Sequence, residues 1–131
     1  ERFVPGYSEG ALEVIEGIHN NLNSFWEAVN LPNKGFITNL PENAIVEVPG
    51  WLNAKGITGQ VIGELPEGIA ELLRREITVS HLTVDAVVSG DRQLALQALL
   101  LDPVVRDIEI AQQILDDYLS TYKEHLPTFW S

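Results

Sequence analysis

Apolar residues recur along this chain with helical spacing, then in strand-length runs, then again with helical spacing to the end. Leu12, Ile15 and Ile18 fall on one side of a helical wheel with Glu9, Glu13 and Glu16 around them, which predicts a short amphipathic helix capped by Ser8 after an irregular start at Pro5-Gly6. Asn20-Asn21 ends it, and Phe25 to Leu31 carries aromatic and branched residues at strand length. In Asn30-Leu31-Pro32-Asn33-Lys34-Gly35, proline fixes its own φ and asparagine or glycine accepts a positive one, so the chain must turn sharply. The β-branched run Ala44 to Pro49 predicts a second strand, closed or set at an edge by a proline that has no N–H for a ladder. A third strand over Gly56 to Ile62 follows a hairpin-like connection containing Trp51 and Asn53-Ala54-Lys55-Gly56.

From Pro66 the apolar period becomes 3.6, with Ile69, Leu72, Leu73 and Ile77 on one stripe and Glu71 four residues before Arg75 on the solvent side. Thr83 has the chemistry of an N-cap for a further short helix, with Leu82 and Val87 as its hydrophobic staple and Gly90 as its end. Asp91 caps the next segment, where Leu94 to Leu101 is apolar nearly all round and is expected to be the core helix. Asp102-Pro103 stops it. Asp107 then starts a final helix with Ile108, Ala111, Ile114, Leu115, Tyr118 and Tyr122 on one face. The expectation is an α+β fold, short strands in the first half and a bundle-like helical second half, forming one domain over residues 1–131 with no internal repeat.

Composition narrows the partners. Eight Lys and Arg against 19 Asp and Glu leave a formal net charge of −11, and the basic residues are scattered apart from Arg74-Arg75, so nucleic acid is not an expected partner. No apolar run reaches membrane length and no basic segment precedes an apolar one, which makes a cytoplasmic location without membrane contact the expectation. The absence of cysteine removes thiolate catalysis and any cysteine-ligated metal. Methionine is absent as well and the first residue is Glu1, which suggests a piece of a longer protein.

Residues able to carry chemistry are sparse. His19, His81 and His125 lie far apart and none has a helical ligand partner at HExxH spacing, so no metal site is expected from this chain. His19 and His125 near helix C-termini have a dipole-compensating explanation, and His81 has a structural one. Acidic pairs such as Asp116-Asp117 are expected by chance among 19 carboxylates, and isolated glycines make no phosphate-cradling loop. Trp26, Trp51 and Trp130 either stack on a sugar or partner or contribute core area, and Phe129-Trp130 at the chain end needs a groove to lie in. The loop from Asn30 to Gly35 is the best ligand-facing element: its asparagines offer amide donors and acceptors, and Gly35 allows close backbone approach.

Val29-Asn30-Leu31-Pro32-Asn33-Lys34-Gly35-Phe36-Ile37-Thr38-Asn39-Leu40-Pro41, running into Ile45-Val46-Glu47-Val48-Pro49, resembles the C-terminal region of glycoside hydrolase family 4. The stretches Leu82 to Ala86, Gly90-Asp91, Leu94 to Pro103 and Leu126-Pro127 are similar to the same family in the same order. The resemblance implies a glycosidase that uses NAD and manganese to oxidise the sugar at C3, remove the C2 proton and eliminate the leaving group, outside the usual two-carboxylate scheme. It implies that the dinucleotide fold, the metal-binding Cys and His and the catalytic Tyr belong to an N-terminal domain not in this chain, which is then inactive by itself. The expected partners are that domain, a glycoside and further copies in a homo-oligomer. Asn30, Asn33 and Gly35 are the residues expected to reach substrate. The wording around Val46 to Pro49 and Leu100 to Pro103 is closer to α-galactosidase or α-glucuronidase types. The rival reading is a freestanding carbohydrate-binding or protein-interaction module on the same scaffold.

Overall fold

A computed structural model describes residues 10–130, in the order α1 (Ala11–His19), β1 (Ser24–Pro32), β2 (Ile45–Asn53), β3 (Gly56–Gly59), α2 (Glu67–Ser89), α3 (Arg92–Leu101) and α4 (Ile108–Thr121), closed by 3-10 turns at Lys123–His125 and Pro127–Trp130. The α+β expectation holds, as strands occupy the first half and helices the second. The chain divides into two compact units, one ending at Pro66 and the other starting at Glu67.

In the first unit the strands form an antiparallel sheet in the order β1-β2-β3. The inner face carries Val29, Val46, Val48 and Leu52, all buried. Helix α1 lies against it through Gly17, where a Cβ would press on Leu52 and on Ser24 Oγ. The cap of α1 is Gly10, which makes no side-chain cap bond; Ser8 and Pro5-Gly6 lie outside the described residues. Asn53 pairs with Gly56 across a two-residue turn, Ala54-Lys55, tied by Lys55 N–H donating to Asn53 Oδ1 at 2.9 Å. Trp51 is therefore part of β2 and not of the connection, and β3 stops at Gly59, short of the expected Ile62.

Pro49 neither closes its strand nor marks an edge. Strand β2 is central and runs on to Asn53. The pairing passes from Trp26 opposite Gly50 to Val29 opposite Val48, so Glu27 and Ala28 face Pro49 alone. This bulge breaks the β1 ladder at the one position of β2 that has no N–H to give. The Pro49 carbonyl still accepts from Gln60 N–H at 2.7 Å.

In the second unit, α2 runs unbroken for 23 residues, about 34 Å at helical rise. Thr83 is not a cap: its hydroxyl donates to the Val79 carbonyl at 2.8 Å, as Thr78 does to Arg74 and Ser89 to Asp85. A threonine with a complete turn before it has this alternative partner, and no proline intervenes. The expected Glu71–Arg75 pair is replaced by Glu71–Arg74 at 2.9 Å, with Glu67 also paired to Arg74. The bonds from Glu71 and then Glu67 hold the Arg74 guanidinium above its ordinary range. Arg75 is half-buried, with no partner for Nε among the described residues.

Helix α3 is not the core helix. Only Ala98 is buried, and Leu100 and Leu101 are exposed. Hydropathy alone overstated its burial, because α2 and α4 cover one side of it. The buried residues of this unit are instead small alanines, Ala70, Ala86, Ala98 and Ala111, which let helices approach closely, with Leu115 and Leu119 of α4.

Asp91 and Asp107 cap α3 and α4 as expected. The Asp107 carboxylate accepts from Glu109 and Ile110 N–H at 2.7 and 3.2 Å, and Asp91 does the same for Gln93 and Leu94. Asp107→Ala should cost about 1 kcal/mol and raise amide exchange at Glu109 and Ile110; unchanged exchange there would show that the cap contributes nothing.

Candidate functional site

The segment between the paired ends Pro32 and Ile45 is a folded loop, built around one side chain. Asn33 is fully buried. Its Nδ2 donates to the carbonyls of Ile37 (2.9 Å), Leu40 (3.1 Å) and Pro41 (3.2 Å), and its Oδ1 accepts from Ile37 N–H at 2.8 Å. Asn33 N–H donates to Ala44 O at 2.8 Å and closes the base. With Ile37 and Leu40 buried beside it, the loop has an interior of its own.

A second asparagine fixes the loop from outside. Asn39 exchanges two bonds with Leu65, donating to its carbonyl at 2.9 Å and accepting from its N–H at 3.0 Å. Ile62 and Gly63 N–H both donate to Phe36 O, and Ile37 bridges Gly63 in parallel. Residues 36–39 are thus pinned along 62–65 as an irregular extra strand.

The three residues expected to reach a ligand end up in different settings. Asn30 belongs to β1 and not to the turn; it pairs with Glu47 and is exposed. Asn33 points into the loop, where its two N–H groups are shared among three carbonyls. Gly35 takes φ +86° with open space where a Cβ would stand, so backbone is presented there. Sequence reasoning missed Asn39 and also Asn21, which sits at φ +53° and accepts from Ala54 N–H at 2.9 Å. Asparagine in two turn-like contexts was the available signal in both cases.

The other candidates stay apart. His19 lies in the last turn of α1, His125 stands beyond the end of α4 and closes a three-residue 3-10 turn instead of the last helix, and His81 is exposed within α2. Asp116 pairs with Arg92. Trp26 and Trp51 are half-buried, and Trp130 is exposed, with the Lys123 ammonium 4.5 Å from its ring. Phe129 does find a groove: with Leu126 it walls an apolar cavity of about 350 Å³ among Val87, Leu99, Leu115 and their neighbours. Among the described residues no three His, Cys, Asp or Glu gather to hold a metal ion, so a metal does not fit the donor set seen here. No described helix is long and apolar enough to cross a membrane.

The profile of the family 4 glycosyl hydrolase C-terminal domain matches residues 4–105, and the chain belongs to that family. The chain is 38% identical over 112 residues to an α-glucosidase of Erwinia rhapontici, covering 86% of this chain and 24% of that protein. It is 32% identical over 125 residues to a probable 6-phospho-β-glucosidase of Bacillus subtilis, covering 95% and 28%. Among solved structures, a 6-phospho-α-glucosidase from gut microorganisms in complex with NAD and Mn2+ superposes with a TM-score of 0.86 at 28% identity, over 97% of this chain and 29% of that one. The 6-phospho-β-glucosidase of Thermotoga maritima with NAD and glucose-6-phosphate gives 0.83 at 26%, over 95% and 30%. The chain thus spans about a quarter of the length of these relatives.

Proposed function

We propose that residues 1–131 act as the C-terminal domain of an NAD- and manganese-dependent glycosidase, forming part of the wall around the sugar and part of the contacts between subunits. The observation that carries this reading is the family match over 4–105, which supports a shared role for the first unit and the part of the second up to residue 105. The oxidation and elimination chemistry belongs to the intact enzyme, and this chain contributes no catalytic residue. Its partners are an N-terminal dinucleotide-binding domain and a glycoside; its setting is the cytoplasm.

Asn30 and Gly35 touch the sugar, and Asn33 is a positioning residue that holds the backbone between and beyond them. This division follows the exposure of Asn30, the open backbone at Gly35 and the inward-bonded amide of Asn33. The higher identity to the α-glucosidase, and 38% over 92 residues to an α-galacturonidase of Bacillus subtilis, supports an α-glycoside as substrate. Exposed apolar side chains on α2 and α4, among them Val84, Val88, Ile108 and Tyr118, support a homo-oligomer.

Because Asn33→Ala would disturb the whole loop, Asn30→Ala is the cleaner test. In the intact enzyme it should lower kcat/KM for the glycoside about tenfold, as expected for a lost polar contact to substrate, and leave the Kd for NAD unchanged. Unaltered turnover would remove Asn30 from the sugar site.

A further inference from the structure

The outer face of the sheet carries a second feature, on the side away from Val48 and Leu52. Register places Phe25 opposite Trp51, Thr58 on the other flank of Trp51, and Asn30 opposite Glu47. Directly paired residues share a face, and alternation along β2 puts Glu47, Pro49 and Trp51 on that same face. The Phe25 and Trp51 rings meet edge to face, with centroids 5.5 Å apart and planes at 64°. Phe25 nevertheless remains 53% exposed. An aromatic pair left partly in water is thus followed along one strand by a proline ring and then by a carboxylate beside an amide. Trp51 to Glu47 is four residues, about 13 Å of strand.

We propose that this face binds a neutral, unphosphorylated sugar chain of two rings, one stacked on Phe25 and Trp51 and the other held by Asn30 and Glu47. A pyranose presents C–H bonds on its faces and hydroxyls around its rim. Aromatic rings pack against the former, and amide and carboxylate groups bond the latter. Charge selects within the sugars. Glu47 is exposed on this face, Glu27 is exposed in the adjoining bulge, and no Lys or Arg stands at any register position of the face. A phosphorylated sugar would meet only negative charge there, whereas a neutral one meets hydrogen-bonding groups. The site rests on the proposed function only through Asn30, which both readings use.

Its test needs no catalysis. The intact enzyme, held without NAD or metal and labelled with 5-fluorotryptophan, its Trp51 signal assigned by Trp51→Phe, is titrated with maltose, cellobiose and melibiose and followed by fluorine NMR. The Trp51 resonance should shift saturably with at least one disaccharide, while glucose-6-phosphate leaves it in place. Phe25→Ala, a truncation at an exposed position, should weaken binding about five- to tenfold, and Glu47→Gln should weaken it as well. The proposal is overturned if no disaccharide moves Trp51, if glucose-6-phosphate moves it equally, or if Phe25→Ala binds undiminished. It is also overturned if Trp51 responds to protein concentration instead of sugar, which would make the face a contact between copies. Loss of turnover in Asn30→Ala with a silent Trp51 would sink this site and leave the catalytic reading standing.

Discussion

Asn33→Ala is expected to destabilise the sheet-bearing unit by about 3 kcal/mol, because it strands several buried backbone groups at once. The amide serves the N–H of Ile37 and the carbonyls of Ile37, Leu40 and Pro41. Alanine replaces none of these bonds, and the buried positions of Ile37 and Leu40 leave little access for water. Urea unfolding followed at the tryptophans checks the size of the loss. A change below about 1 kcal/mol would mean that solvent takes over the amide's partners. Asn33→Asp should be as harmful at neutral pH, since a carboxylate would face three carbonyl oxygens. That variant should regain stability as the pH falls, because the native loop would hold the acid in its protonated form above its unfolded pKa.

The second large effect is expected at Gly90. This residue ends α2 at φ +71° with its N–H bonded to Ala86 O at 2.8 Å, and a Cβ there would overlap the Thr128 carbonyl. The tail is fastened at the same place by Thr128 Oγ1 donating to Val87 O at 2.8 Å, and Phe129 then reaches the cavity wall. Gly90→Ala combines a left-handed penalty with a backbone overlap, together about 2 to 4 kcal/mol. The tail must lift to relieve it. Amide exchange at Phe129, whose N–H is bonded to Leu126 O, should therefore rise sharply. Thr128→Val, which removes only the hydroxyl, should produce a smaller version of the same change. Unchanged exchange in Gly90→Ala would show that the tail is not held by that contact.

What was legible in the sequence was whatever depends on a few adjacent residues. Asp91 and Asp107 could be read as caps because the carboxylate and the amides it serves are two or three residues apart. The β-branched run into Val48 announced a strand for the same reason. Misreadings arose where one residue has two uses. Thr83 can cap a helix or bond back into one, and only the helicity of the preceding turn decides. Asn33 can present an amide to a ligand or spend it on its own backbone, and the path of residues 37–41 makes that choice. Leu94 to Leu101 reads as core because hydropathy reports what a helix would bury, not what lies beside it. The family resemblance, carried by Val29 to Pro41 together with Ile45 to Pro49 and the helical stretches through Leu94 to Pro103 to Leu126-Pro127, supplied what local rules could not, and the family match over 4–105 agrees with it.

The bulge opposite Pro49 has a bearing on solubility. Strand β1 flanks the sheet, and a straight nine-residue flank would offer a row of backbone donors and acceptors to any passing strand. Glu27 and Ala28 interrupt that row near its middle, tilt its two halves out of line and place a carboxylate at the break. The irregularity that lets a proline sit in the central strand thereby also denies another chain the continuous template that edge-to-edge aggregation requires.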